Sequence, residues 1–289
     1  MKPAPFDYYA PTTIEDACQL LAEAGAAASV LAGGQTLMPL LALRMSQPLV
    51  IVDINRIGAL RGITRKNGVT RIGPMTRQNE AIADATLAEA QPLVVTATRH
   101  VGHHQTRNRG TVGGSIALGE PAAELPATAV ALGATVEARS TRATRRIAAS
   151  ELYFGPYATA LQPDELLTAV EIPEWPAGTI PLFHEVAMRP GDFALVGLTG
   201  AVSVKDGRID RAGIAWFGMG PTPIKARTVE QALVGQSLAA LDTKGLAELA
   251  IAETAPFDDH HATAEYRRTV ARRVFARSLS EALNLRQAA

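Results

Sequence analysis

Along Thr12–Ala24 the apolar positions Ile14, Ala17, Cys18 and Leu21 recur at helical spacing, and Thr12 and Glu15 stand at capping-box spacing. The pattern predicts an amphipathic helix there. Ala28–Ala32 is a short apolar run ended by Gly33-Gly34, which reads as a buried strand. A second helix is expected from about Thr36 to Arg44; it tolerates Pro39 because that residue falls in the first turn. Leu49–Ile54 and Val69–Gly73 read as strands, and Gln78–Ala90 as a helix. Gly102–Gly119 has no period and reads as a long ordered loop. Pro121 and Glu124 start a short helix to about Leu132, with strands following at Thr135–Arg139 and Leu166–Ile172.

Pro173, Pro176, Gly178 and Pro181 then cluster within a few positions, and the boundary between a domain at 1–176 and one at 177–289 is expected there. Beyond it the pattern changes. Phe193–Val204 and Arg208–Met219 are two long strand-like runs joined through Asp206-Gly207, a strong hairpin signal. Three helices follow, near Ala226–Val234, Leu241–Glu253 and Ala262–Leu285. No internal repeat or low-complexity segment interrupts the 289 residues.

Charge narrows the function. Lys and Arg together number 28, as do Asp and Glu, so the basic excess that nucleic acid or an anionic membrane surface requires is lacking. No apolar run is long enough to span a bilayer. Met1–Tyr9 lacks a basic stretch followed by an apolar core, so the cytoplasm is the expected location. Cys18 is the only cysteine and lies on the apolar face of its helix, so it reads as a core residue. A single thiol excludes an internal disulfide and a cysteine-ligated iron–sulfur cluster within the chain. Redox chemistry here would need an organic cofactor.

Two segments suit such a ligand. Leu31-Ala32-Gly33-Gly34-Gln35-Thr36-Leu37 falls between a strand and a helix, where glycines let backbone amides approach phosphate oxygens. Thr111-Val112-Gly113-Gly114-Ser115 again pairs two glycines with hydroxyl residues. Either pair alone also fits a plain tight turn; two in one domain could clamp a dinucleotide's two phosphates. Neither is a Rossmann or P-loop fingerprint. His100, His103 and His104 stand among Arg99, Arg107 and Arg109, without a cysteine or an acid before Glu120, and read as packing or solvated histidines rather than metal ligands. Arg107 and Arg109 suit phosphate or a partner's carboxylates equally. Arg189-Pro190-Gly191-Asp192-Phe193 is first of all a turn, and Arg142, Arg145, Arg146 and the Arg267–Arg277 series read as solvated faces. No nucleophile–base arrangement stands out.

Taken together, these stretches resemble the FAD-binding medium subunits of the molybdenum hydroxylases, a family that includes the flavoprotein of aerobic carbon monoxide dehydrogenase and the flavin domain of xanthine dehydrogenase. The likeness runs through nearly the whole chain. Ala32–Pro39 looks like the family's first pyrophosphate loop, and Gln105–Ser115, continued by Glu120–Pro126, like its second. Phe154-Gly155-Pro156-Tyr157, Asp164–Leu167, Arg189–Val196 and Gly220–Pro223 follow in the family's order. So many motifs in sequence are highly specific.

The resemblance implies an α+β fold: a PCMH-type FAD-binding region of two subdomains, about 1–56 and 57–176, then a C-terminal domain with a three-stranded antiparallel sheet and a helix bundle. It implies FAD as cofactor, held by Leu31, Ala32, Gly33, Gly34, Gln35, Thr36 and Leu37 and by Val101, Thr111, Gly113, Gly114 and Ser115. Glu124 would bind the sugar or adenine side, Leu167 would make an apolar contact, His184 would stand near the ring, and Phe193 would take the place of a stacking tyrosine. Two departures are Phe193, which lacks that tyrosine's hydroxyl, and Leu118, where relatives often carry histidine. As partners the resemblance implies an iron–sulfur small subunit and a large subunit with the molybdenum cofactor, in a dimer of heterotrimers. Electrons would reach the flavin from the iron–sulfur clusters and leave to an external acceptor. The alternative is a cofactor-free interaction subunit that keeps the fold; the intact glycine loops weigh against it.

Overall fold

The structure, a computed structural model, describes residues 2–284. Its first layer is a parallel sheet of β1 (Asp7–Tyr9), β2 (Ala28–Leu31) and β3 (Val50–Asp53), with β3 central. Two helices connect the strands, α1 (Ile14–Ala24) and α2 (Leu37–Ala42). The first begins later than the sequence suggested. Thr13, not Thr12, is its cap, the hydroxyl accepting from the Asp16 N–H at 3.1 Å. Ala17, Cys18 and Leu21 of α1 bury themselves with Val52, Ile54, Met75 and Leu166, which places Cys18 in a core.

The next layer contains β4 (Ile63–Lys66) and β5 (Val69–Ile72), then six helices: α3 (Gln78–Ala83), α4 (Ala85–Ala90), α5 (Pro92–His100), α6 (His104–Arg109), α7 (Val112–Leu118) and α8 (Glu124–Leu132). Five strands complete it: β6 (Thr135–Arg139), β7 (Thr144–Ala148), the small ribbon β8 (Tyr153–Gly155) and β9 (Ala158–Thr159), and β10 (Leu166–Pro173). An antiparallel sheet runs in the order β4-β5-β10-β6-β7, so β10 returns to insert between strands formed much earlier. All residues of α8 are buried, consistent with a helix apolar on every side.

Three expectations fail here. The helix expected over Gln78–Ala90 is two helices, broken at Asp84, whose extended backbone (ψ 117°) and side chain, accepting from Leu87 N–H at 2.8 Å, restart it as α4. The expected loop at Gly102–Gly119 contains α6 and α7. α6 is polar throughout and α7 carries two glycines, so neither periodicity nor propensity signals a helix. Their backbones are fixed by neighbours: Gln78 N–H bonds Gly110 O at 3.0 Å and Gly113 N–H bonds Pro74 O at 2.9 Å. The second glycine pair is therefore the first turn of a helix, not a loop ahead of α8.

The C-terminal layer is an antiparallel sheet of three long strands, β11 (Ile180–Val186), β12 (Val196–Lys205) and β13 (Arg208–Phe217), with the two-residue β14 (Ile224–Lys225) at one edge. Asp206 and Gly207, with φ of 51° and 70°, make the tight turn that the Asp-Gly pair signals. β12 starts at Val196, so Phe193 lies in the preceding turn instead of a strand. α9 (Arg227–Leu233), α10 (Thr243–Ile251) and α11 (Ala264–Ala282) pack on one face of this sheet. The other face, through Ala201, Ala215 and Phe217, joins the core around α8. The expected helix end at Leu285 lies outside the described residues. Arg267 is not on a solvated face: it is buried and bonds Leu195 O at 2.6 Å, Gly218 O at 3.1 Å and Asp259 at 2.7 Å. Among the described residues no helix is long and apolar enough to cross a membrane.

Candidate functional site

The two glycine segments, far apart in sequence, meet. Gly33 lies so close to the backbone of the second segment that a Cβ on it would approach Arg109 O to 2.5 Å and Gly110 Cα to 2.8 Å. Gly34 has φ of +73°, a conformation that side chains oppose. Gly113 is pressed on Pro74, where a Cβ would come within 2.2 Å. Thr111 caps α7, its hydroxyl accepting from Gly114 N–H at 3.0 Å and keeping its own proton to donate.

Between and beyond these segments opens a cavity of about 570 Å³, within the range that encloses a cofactor. Ala32, Gly33, Gly34, Gln35, Thr36 and Leu37 line it from the first segment, and Thr111, Gly113, Gly114 and Ser115 from the second. Val101, Glu124, Leu167 and Phe193 line it as well. Leu31 stands behind the wall: its Cδ1 packs where a Gly34 side chain would go.

His184 does not line the cavity. β11 alternates its side chains, so Phe183 faces the α8 core while Leu182 and His184 turn to the other face, towards the helix bundle. Burial and the nearby Arg277 lower the His184 pKa, so its neutral form is favoured there.

Several lining residues carry no sequence signal. Gln78 is buried, with its Oε1 unpartnered beside Gly110. Pro74 and Met75 reach the cavity from the turn after β5. Gly191, with φ of +88°, seats on the His103 ring, where a Cβ would approach Cε1 to 2.4 Å, and this contact brings Asp192 and Phe193 to the cavity wall. Phe193 itself is 63% exposed. His100 packs instead, its ring 4.5 Å from that of Phe183. Among the described residues no group of three or more histidine, cysteine or acidic side chains is placed to hold a metal.

Arg107 bonds to its own chain. Its Nη1 donates to the carbonyls of Val101 and Gly102, both at 3.0 Å, and its Nε to Asn79 Oδ1 at 3.3 Å. It thereby shapes the backbone on which His103 sits.

Electrostatics distinguish the acidic residues. Glu124 is buried, and desolvation, reinforced by Glu185 and Glu120, pushes its carboxyl up to about 8. At neutral pH it is a protonated group lining the cavity, able to donate a hydrogen bond. Glu185 is pushed up to about 7 by burial alone. Glu120 instead accepts from Ala122 N–H at 3.0 Å and from the Tyr157 hydroxyl.

A glycine cradle for phosphate oxygens, an unpartnered buried amide oxygen, a protonated carboxyl and apolar walls fit a flavin dinucleotide. Comparison with known proteins agrees. The model of the FAD binding domain in molybdopterin dehydrogenase matches residues 4–175, and that of the CO dehydrogenase flavoprotein C-terminal domain matches residues 182–282. The chain is 37% identical to the 6-hydroxypseudooxynicotine dehydrogenase complex subunit alpha of Paenarthrobacter nicotinovorans, covering 98% of this chain and 96% of that one. It is 36% identical to the carbon monoxide dehydrogenase medium chain of Afipia carboxidovorans, covering 98% of each. A solved structure of carbon monoxide dehydrogenase from Hydrogenophaga pseudoflava superposes with a TM-score of 0.95 at 32% identity, over 99% of both chains. The chain belongs to the family of FAD-binding domains in molybdopterin dehydrogenases, and is a FAD-binding medium subunit of the molybdenum hydroxylase type.

Proposed function

We propose that this chain is the FAD-carrying electron-transfer subunit of a cytoplasmic three-subunit molybdenum hydroxylase, assembled as a dimer of heterotrimers. It would take electrons from iron–sulfur clusters on a small subunit, reduced by a molybdenum-cofactor large subunit, and pass them to an external acceptor. The observation that carries this reading is the cavity shared by the two glycine segments in a chain with a single, buried cysteine. We place the domain boundary at 176/177 and the subdomain boundary near 56/57.

When bound, FAD supplies the redox centre, an isoalloxazine ring able to exchange one or two electrons. This chain's residues do the binding. Gly33, Gly34, Gln35 and Thr36 on one side and Thr111, Gly113, Gly114 and Ser115 on the other offer backbone amides and hydroxyls to the pyrophosphate and its neighbours. Ala32, Leu37, Val101 and Leu167 give the apolar walls, and Leu31 supports the first segment from behind. Glu124 donates from its protonated carboxyl to the sugar or adenine side. Phe193 offers a ring face without the hydroxyl of a tyrosine. His184, off the cavity wall on the helix-bundle face of β11, is left out of this set.

The test is the colour of the purified full chain. It should be yellow and release FAD, not FMN, on denaturation, because two glycine segments suit a pyrophosphate better than a single terminal phosphate. Colourless protein that also fails to quench the fluorescence of added FAD would sink the reading and leave the cofactor-free interaction subunit in its place.

A further inference from the structure

The two glycine segments are tied together by a relay of side-chain hydrogen bonds that touches neither glycine pair. Asn55 begins it, in the turn after β3. Asp53 Oδ1 orients it, accepting from Asn55 N–H at 2.8 Å and from Nδ2 at 2.6 Å. The same Nδ2 donates to Ala32 O at 2.8 Å, which holds the first segment just before Gly33. Arg77 continues the relay. Its Nη2 donates to Asn55 Oδ1 at 2.6 Å and its Nη1 to Arg109 O. Arg109 O is the atom on which Gly33 rests. Arg77 is itself anchored at both ends of its reach: its backbone N–H bonds Glu80 Oε2 at 2.8 Å, and it bridges antiparallel to Thr111, the cap of α7.

We propose that Asn55 and Arg77 are positioning residues for FAD, a latch that holds the first glycine segment against the second at the separation a bridging pyrophosphate needs. The inference rests on the FAD reading above. A planar guanidinium suits the task because it donates in two fixed directions, one to each side of the joint. Burial, then Arg61 and Arg109, lower the Arg77 pKa, while Glu80 and Asp53 oppose them, so the guanidinium sits in a joint where both signs of charge are already present. Neither Asn55 nor Arg77 lines the cavity, so each acts through the backbone it holds.

The experiment is a double-mutant cycle on the full chain, stripped of flavin and titrated with FAD by fluorescence quenching. Asn55→Ala and Arg77→Met should each weaken FAD binding by about tenfold or more, and the double variant should be little worse than either, because both break one relay. Arg77→Lys keeps the charge but cannot span both acceptors, so it should restore only part of the loss. Asn55→Ser removes the amide that reaches Ala32 O and Arg77 without adding a charge beside Asp53; it should bind FAD more weakly while keeping the wild-type circular dichroism, which guards against a merely unfolded variant. Full rescue by Arg77→Lys with wild-type affinity in the Asn55 variants would make Arg77 a plain phosphate charge and overturn the latch. Additive losses would overturn it too. Wild-type protein without affinity for FAD would instead overturn the FAD reading, and the latch with it.

Discussion

At the scale of single residues, the site is defined by where a side chain has no room. Gly34 needs a left-handed backbone, and a Cβ there would also press on Met38 and Leu31 at 3.1 and 3.2 Å. A left-handed conformation costs a side-chain-bearing residue about 1–2 kcal/mol, more when it is branched at Cβ. Gly34→Val should therefore lose most of its flavin while keeping its circular dichroism. Gly114→Val should do the same for another reason: its Cβ would meet Thr111 Oγ1 at 2.8 Å and displace the cap of α7. Flavin content measured beside circular dichroism checks both, and full occupancy in both would remove these segments from the site. Gly113→Ala should act on the fold itself, by about 1–3 kcal/mol of overpacking against Pro74.

Glu124 gives a pH dependence whose sign follows from its surroundings. Its carboxyl titrates near 8 in the folded chain against 4.5 in an ordinary setting. Below 4.5 it is protonated in both states. As pH rises, the unfolded chain loses that proton first, so stability declines until the folded carboxyl also ionises near pH 8. Glu185, raised to about 7, adds in the same direction. Thermal melts of flavin-free protein should show the transition falling across this window, and falling less steeply in Glu124→Gln. The difference should amount to a few kcal/mol, at about 1.4 kcal/mol per unit of pKa. Parallel curves for the two proteins would contradict the protonated carboxyl.

At the scale of elements, two buried contacts join helices to the C-terminal sheet. Arg267 reaches from α11 to Leu195 O and Gly218 O, which lie together at the open end of the β12–β13 hairpin, and to Asp259. Arg267→Leu removes a buried charge from three acceptors and should cost about 3 kcal/mol, read as a lower urea midpoint at unchanged slope. Arg272 and Arg277, on the exposed side of the same helix, pair with Glu248 and Glu281; replacing either by alanine should change stability by about 0.5 kcal/mol or less. The other contact is the buried bond between the hydroxyls of Thr128 on α8 and Thr199 on β12, at 3.0 Å. It adds direction to a core that the two domains already share.

At the scale of the whole molecule, the proposed function assigns the redox cofactor to this chain and the oxidation of the organic substrate to a partner subunit. Its one cysteine is buried in the α1 core, where desolvation raises the thiol pKa and keeps it inert. Purified alone, the full chain should oxidise no organic substrate. Co-expressed with an iron–sulfur subunit and a molybdenum subunit, it should elute as a larger assembly and gain turnover. Size-exclusion chromatography with a turnover assay checks this; sustained oxidation by the isolated chain would overturn the proposed electron-transfer role.

Features that depend on near neighbours along the chain were legible before the fold was known. The amphipathic spacing of α1, the Asp206-Gly207 turn, the two glycine pairs and the lone cysteine are all local patterns, and the order of family motifs added the cofactor to them. Tertiary structure decided what depends on who lies opposite. α6 and α7 form without any periodic signal because the Gln78 and Pro74 backbones satisfy and confine them. His184 turns away from the cavity because a strand's alternation, set by how β11 docks, assigns it to the helix-bundle face. Arg267 and Arg107 look like surface charges in a string of arginines, yet each ends inside, bonded to carbonyls that folding brings within reach. Asn55 and Arg77 carry no local signature at all: a polar pair 22 positions apart becomes a joint between two ligand segments only when the parallel and antiparallel sheets close on each other.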